Sequence, residues 1–272
     1  GKDADRPNLG YGADGRAAAD ADRRRLAASL STTPDRLVFM EQVHSTGVAV
    51  VGAAQAGAGL AARETALRGA DALVTADDSV VLVGLSADCP LVALWDEVAG
   101  RCAVAHAGWR GLASGVIGAT VSELLALGAR AGALRAAIGA AIGECCYEVD
   151  ADVAAQVLAA GRTDSAGAGE KQPGDHKGRI YGQQRTAGQA CRGTKATTST
   201  GSAEGTFASG KVHLSLVGAA LDQLALCGVN PSRVLPLGLC TRCHAEAFHS
   251  YRRDGAAAGR QAMAIRLAKA AG

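Results

Sequence analysis

Six short apolar runs follow one another between residues 37 and 105, at 37–40, 48–51, 72–75, 80–85, 91–95 and 102–105. Each has the length of a strand and is closed by Gly, Asp or Pro. A chain written this way must bring many short strands together around a shared core. Further strand candidates lie at 134–142, 234–239 and 262–267. Helical patterns stand among them. Residues 18–30 are rich in Ala and Arg, and 112–127 carry apolar residues at helical spacing and stop at Gly128, a C-cap candidate. Residues 150–160 have Asp150 as an N-cap candidate, and 212–227 return to helical periodicity. Strands and helices mix without strict alternation, and no internal repeat is visible. The expected fold class is therefore α/β or α+β, a mixed sheet with flanking helices rather than a doubly wound sheet. Residues 162–209 are rich in Gly, Ser, Thr, Lys and Gln and nearly free of large apolar side chains. They read as a long loop or insertion within one catalytic domain spanning residues 1–272.

The core has to be built from aliphatic side chains, because 48% of residues are hydrophobic but only 3% are aromatic. Basic residues number 28 and acidic residues 26, a net charge of +2. That balance argues against a bulk nucleic-acid or membrane-surface binder. No apolar run reaches the ~18 residues of a spanning helix. The opening residues, Gly1-Lys2-Asp3-Ala4-Asp5-Arg6, lack the apolar stretch of a signal peptide. A cytoplasmic protein is the expectation. Eight cysteines in 272 residues do not make a small disulfide scaffold. They are read as core residues, ligands or nucleophiles.

Six histidines are present, and two have unusual company. His44 follows a strand candidate in Glu41-Gln42-Val43-His44-Ser45. His106 ends another in Ala103-Val104-Ala105-His106-Ala107-Gly108-Trp109-Arg110-Gly111. Between them Cys89 ends a third in Ser86-Ala87-Asp88-Cys89-Pro90. Strand ends let side chains converge at one edge of a sheet. Two imidazoles and one thiolate suit zinc, with the fourth position left to water as in catalytic zinc sites. The same residue types also fit a buried Cys and two hydrogen-bonded core histidines. They fit, too, a metal-free cysteine hydrolase with Cys89 as nucleophile and His106 or His44 as base. A non-catalytic protein with a structural zinc is a fourth reading.

The ordered set Gln42-Val43-His44, Ala70-Asp71-Ala72-Leu73-Val74-Thr75, Ala87-Asp88-Cys89-Pro90, His106-Ala107-Gly108-Trp109-Arg110-Gly111 and Ser250-Tyr251-Arg252-Arg253-Asp254 resembles the laccase-domain family, also called polyphenol-oxidase-like or peptidoglycan editing factor. Asn8-Leu9-Gly10, residues 138–143 and Gly259-Arg260-Gln261-Ala262 fit the same family. The resemblance runs from about residue 8 to residue 267, apart from the stretch near 162–209. It implies an α/β fold shared with some cysteine-type toxin deamidases, and a zinc site of the His44, Cys89 and His106 type. It also implies phosphorolysis of adenosine, inosine, guanosine and methylthioadenosine, with deamination of adenosine. Purine nucleosides and phosphate would then be the partners. Arg110 and Arg252 match positions where the family places cations near its pocket, and guanidinium grips phosphate in a bidentate way. Asn8 and Gln42 join them as candidate substrate-binding residues. Under the hydrolase reading, a peptidoglycan precursor would be the substrate.

Other signals carry less. Cys240-Thr241-Arg242-Cys243-His244 spells the attachment pattern of a c-type haem, but it falls where the family has a Cys-Thr-x-Cys stretch without haem. A second zinc site from Cys240, Cys243, His244 and His249 is a further reading. Cys145 and Cys146 are adjacent, are expected to point to opposite sides, and are read as structural. Copper polyphenol oxidase chemistry follows from the family's name, yet a multicopper cluster needs more imidazoles in close pairs than this chain has. Copper as a substitute at the zinc site fits the affinity order of divalent metals.

Overall fold

The computed structural model describes residues 6–11, 16–161 and 210–268. The early strands are β1 (Leu37–Phe39), β2 (Val48–Val51), β3 (Ala72–Thr75), β4 (Val81–Ser86), β5 (Leu91–Asp96) and β6 (Arg101–His106). The later ones are β7 (Arg135–Ile138), β8 (Glu148–Asp150), β9 (Lys211–His213), β10 (Val234–Pro236) and β11 (Gln261–Ile265). The helices are α1 (Arg16–Ser29), α2 (Trp109–Ser114), α3 (Val116–Ala126), α4 (Ala151–Ala160), α5 (Leu216–Leu226) and α6 (Tyr251–Asp254).

These strands form a six-stranded sheet in the order β10-β7-β5-β6-β3-β2, a three-stranded sheet β1-β4-β11, and a β8-β9 pair. Both larger sheets are mixed. β10 and β7, β3 and β2, and β1 and β4 run parallel, while β5, β6 and β11 meet their neighbours antiparallel. The result is the mixed α/β fold expected, with no doubly wound order.

The apolar runs are continuous because the strands are buried on both faces. In β4, Val81, Val83 and Leu85 pack toward α1 with Leu37, Phe39 and Ala27, while Leu82 points the other way. In β6, Cys102 and Val104 face the three-stranded sheet, and Ala103 and Ala105 face the helices. β3 divides likewise, Leu73 inward and Ala72 and Val74 toward α3. The order of layers is thus α1, the small sheet, the large sheet, then α3 and α5. The last two helices contribute Ile117, Val121, Leu124, Leu216, Ala220 and Leu224. Each large aliphatic side chain buried in this way stabilises the fold by roughly 1.5–3 kcal/mol, before the entropy cost of ordering it.

Four sequence expectations change. The helix expected over 112–127 starts at Trp109 and is two helices, α2 and α3, because Gly115 between them takes a left-handed backbone (φ 88°). The helical stretch expected over 212–227 begins as strand β9, and helix α5 starts only at Leu216, capped by Ser215, whose Oγ accepts from the Gly218 amide. Asp150 precedes α4 without capping it by its side chain; its carboxylate meets Lys211 Nζ at 2.6 Å instead. The strand expected over 134–142 is regular only to Ile138. Residues 162–209, expected as a loop or insertion, lie outside the described residues. No helix among the described residues is long and apolar enough to cross a membrane.

Candidate functional site

His44, Cys89 and His106 come together where the two sheets meet. Each presents one ligand atom, and these atoms all lie within 4.8 Å of one another. The antiparallel register makes this so. His106 ends β6 opposite Leu91, the first residue of β5, and Ala105 stands opposite Ala72, the first residue of β3. Residues just before β3 and just before β5 therefore share an edge with the end of β6. Strand parity puts His106 on the side of Val104, toward the small sheet. Cys89 does not end a strand as expected. It lies in the turn that carries the chain from β4, in the small sheet, to β5, in the large one. His44 likewise lies in a turn between β1 and β2. The Cys89 Sγ to His44 Nε2 distance is 3.9 Å, and the two imidazoles meet edge to face with centroids 4.8 Å apart.

Asp71, fully buried, organises this edge. Its Oδ1 accepts from the His44 amide at 3.0 Å and lies 2.9 Å from His106 Nδ1. Its Oδ2 accepts from the amides of Val43 and Ser45 and from Ser45 Oγ, at 3.1, 2.7 and 2.9 Å. One carboxylate thus shapes the turn carrying the first histidine and orients the second. With Nδ1 of His106 on Asp71, its Nε2 is left to face the cluster, the arrangement in which an outer carboxylate fixes the tautomer of a metal-binding histidine. Burial would raise the Asp71 pKa, but its hydrogen bonds to His106 and Ser45 outweigh burial and hold the carboxyl below its ordinary value.

Burial also works against the Cys89 thiolate. The hydrogen bonds and charges of His106 and His44 prevail and bring the thiol down to about 6. Burial disfavours a charged His106, but Asp71 and Cys89 together lift it to about 9. In the metal-free site these interactions favour the thiolate of Cys89 and the protonated imidazole of His106.

Three of the four non-glycine residues with positive φ among the described residues border this cluster: Gln42 (60°), His44 (62°) and Asp88 (97°). Such backbone is costly outside glycine and persists where surrounding bonds enforce it. Gln42 is held through its side-chain amide, which donates to the Leu85 carbonyl and accepts from the Leu85 amide. Asp88 accepts from Thr241 Oγ1 at 2.6 Å and from the Arg252 amide at 2.6 Å. The space in front of the ligands is kept by Gly108. A Cβ there would stand 2.6 Å from His44 Cδ2 and 3.2 Å from Cys89 Sγ. A thiolate, two imidazoles and a cradle that a single methyl group would fill together suit a metal ion of zinc's ligand preference.

The other predicted residues divide. Arg110 and Arg252 are exposed, lying against the rings of Trp109 and Tyr147 at 4.4 and 5.1 Å from the centroids. Both guanidinium charges, and the Cys89 thiolate, act on the Tyr147 hydroxyl, which burial chiefly pushes up to about 12. Both cations therefore lie near Tyr147. Asn8 and Gln42 are committed to the backbone. Asn8 Oδ1 accepts from the amides of Gly10 and Arg260 at 3.0 and 2.9 Å, tying the N-terminal segment to the approach of β11. These bonds give both side chains a positioning role in the backbone around the cluster.

Sequence reasoning gave no role to Asp71, Asp88, Tyr147 or Arg260. Asp71, Asp88 and Arg260 stand inside the family motifs, and for Asp71 an Asp directly before an all-apolar strand is the available signal. Arg260 is half-buried, and burial lowers its pKa while Cys89 and Asp88 counteract that from nearby. The further reading of a second zinc site from Cys240, Cys243, His244 and His249 is not gathered here, because neither histidine joins the two cysteines. His244 Nδ1 lies 2.9 Å from the Cys240 carbonyl, and His249 Nε2 lies 3.0 Å from the Pro7 carbonyl. Cys145 and Cys146, expected to point apart, both approach Cys243 instead, at 3.8 and 3.4 Å between sulfurs.

A family model described as multi-copper polyphenol oxidoreductase laccase matches residues 2–190 and 183–268. Purine nucleoside phosphorylase Cgl2154/cg2365 of Corynebacterium glutamicum is 32% identical over 266 residues, 97% of this chain and 88% of that protein. Adenosine deaminase RL5, from an unknown prokaryotic organism, is 30% identical over 238 residues, 88% of this chain and 78% of that protein. Purine nucleoside phosphorylase ORF3 of Streptomyces griseus is 40% identical over 144 residues, 53% of this chain and 56% of that protein, so the match spans little more than half of each. The crystal structure of YlmD from Geobacillus stearothermophilus superposes with a TM-score of 0.75 at 29% identity, covering 96% of this chain and 85% of that one.

Proposed function

The chain belongs to the family described as multi-copper polyphenol oxidoreductase laccase, and from that premise we propose that it is a zinc-dependent purine nucleoside phosphorylase that also deaminates adenosine. The observation that carries this reading is the convergence of His44, Cys89 and His106 on one point, with Asp71 fixing the tautomer of His106. Relatives named for the two activities, matched over 88% and 97% of this chain, support it. His44, Cys89 and His106 would hold the ion, which when bound supplies Lewis-acid chemistry and makes water a nucleophile at neutral pH. Zinc suits one thiolate and two imidazoles. A multicopper centre would need several more imidazoles, and no other histidine cluster is found among the described residues.

The chain's own groups supply the rest. Arg110 and Arg252 are charged side chains that can take the phosphate oxygens and set phosphate against the anomeric carbon. Tyr147, kept protonated by burial, offers a hydroxyl donor near both arginines. Asp71 holds the proton on His106 Nδ1, so Nε2 is the nitrogen left to hold the ion. Phosphorolysis breaks the glycosidic bond with phosphate as acceptor, while deamination uses water alone. One site can therefore run both.

The test is a product scan of the purified chain with adenosine, inosine, guanosine and methylthioadenosine, with and without phosphate and with and without a chelator. Free base released only with phosphate, and inosine formed from adenosine without it, are the expected products, and both should be lost on zinc removal. A second reading is favoured by the lowered Cys89 thiol, namely a metal-free cysteine hydrolase. That enzyme would keep full activity in chelator and lose it on alkylation of Cys89.

A further inference from the structure

We propose that Cys145, Cys146, Cys240 and Cys243 form a second metal site, a closed four-thiolate zinc centre separate from the His44, Cys89 and His106 cluster. The four sulfur atoms all lie within 4.8 Å of one another. Three of the separations are 3.7 Å (Cys145 to Cys146), 3.8 Å (Cys145 to Cys243) and 3.4 Å (Cys146 to Cys243). A tetrahedral zinc with Zn–S bonds of about 2.3 Å requires sulfurs about 3.8 Å apart, so these edges need little adjustment. A disulfide needs a separation of about 2 Å and joins only two sulfurs, whereas here two adjacent cysteines both turn to a third.

The backbone is arranged as it is around thiolate ligands. The Gly143 amide donates to Cys240 Sγ at 3.2 Å, and the amides of Arg242 and Cys243 also act on that sulfur. These donors stabilise a thiolate and leave the Cys-x-x-Cys turn wrapped around it. Gly143 leaves room for the same approach, because a Cβ there would crowd Cys240 Cβ at 3.1 Å and Cys145 Sγ at 3.2 Å. Four soft thiolates in a tetrahedral set, with no position left for water, describe a structural rather than a catalytic zinc.

Such a centre would join two segments nearly a hundred residues apart in sequence. One runs directly into Tyr147. The other contains Thr241, whose hydroxyl holds the Asp88 carboxylate beside Cys89 at 2.6 Å. The second zinc would thus brace the rim of the first site without touching substrate.

The experiment uses the full chain, produced with zinc and purified with a reductant and no chelator. Zinc per chain is counted by mass spectrometry of the elements, and cysteine alkylation by iodoacetamide is mapped by peptide mass. The expected result is two zinc ions in the wild-type chain, and one each in Cys243→Ser and Cys89→Ser. Cys145, Cys146, Cys240 and Cys243 should resist alkylation until zinc is stripped. The wild-type count and protection pattern decide the matter even if a variant fails to fold. Four thiols that react at once in zinc-loaded protein would overturn the proposal, as would a disulfide among them or a single zinc lost only in Cys89→Ser. None of these readouts depends on nucleoside turnover, so they stand apart from the proposed activity.

Discussion

The substitution Asp71→Asn tests whether one buried carboxylate builds the metal site. It keeps the shape and removes the charge. Oδ1 meets two donors, His44 N and His106 Nδ1, and Oδ2 meets three, Val43 N, Ser45 N and Ser45 Oγ. Whichever way the amide turns, its NH2 group opposes two or three of them. The cheaper orientation keeps oxygen at the Oδ2 position and sets NH2 against His44 N and His106 Nδ1. Two hydrogen bonds to a charged acceptor, worth about 1.5–3 kcal/mol each, are then lost. His106 recovers one by giving up its Nδ1 proton and accepting there from the amide NH2, which leaves a net cost of about 1.5–3 kcal/mol. The one proton left then sits on Nε2, the atom facing Cys89, so zinc affinity should fall by about 10–100-fold, the usual effect of losing an outer carboxylate. Zinc affinity is read by competition with a chromogenic chelator, and stability by denaturant unfolding of the metal-free proteins. A pH signature accompanies it. Because the folded Asp71 pKa is depressed, its contribution is complete above the unfolded carboxyl value of about 3.9 and is lost as pH falls through the lower folded value. The Asp71→Asn variant should lack that acid-side loss. If the variant binds zinc as tightly as the wild type and unfolds at the same denaturant concentration, the reasoning is refuted.

In metal-free protein Cys89 is already a thiolate above about 6, while His106 keeps its second proton to about 9. Zinc binding between those pH values should release about one proton, and affinity should rise about tenfold per pH unit. Calorimetry in buffers of different ionisation heat measures this, and release of two protons or none would contradict it. Gly108→Ala puts a methyl group 2.6 Å from His44 Cδ2, so zinc content and both activities should drop sharply while the unfolding midpoint of the metal-free protein barely moves; a large loss of metal-free stability would assign Gly108 to the fold instead. Arg110→Lys removes bidentate contact with phosphate worth about 1.5–3 kcal/mol, so phosphorolysis should slow roughly 10–150-fold with little effect on deamination. Equal loss of both activities would make Arg110 structural.

Most of the strands, most of the helices and the three residues of the central cluster could be read from the chain because each rests on a local property. A short apolar run closed by Gly, Asp or Pro is a strand wherever it packs, and His and Cys carry ligand chemistry in any setting. The ordered motifs around His44, Cys89 and His106 added the family. The chain did not reveal that the helical run over 112–127 breaks, since Gly115 is compatible with either form until neighbouring helices demand a turn. Nor could it show that Asn8 and Gln42 are engaged with backbone partners, or that Cys145 and Cys146 meet Cys243. Asp71 is the clearest case. Its carboxylate binds groups 26–35 residues away, and nothing near it in sequence announces them. Which strand lies beside which, and in what register, decides such contacts. That choice is made by the packing of two sheets and their helices as a whole, because burial is won by the entire set of faces together and not by any one segment.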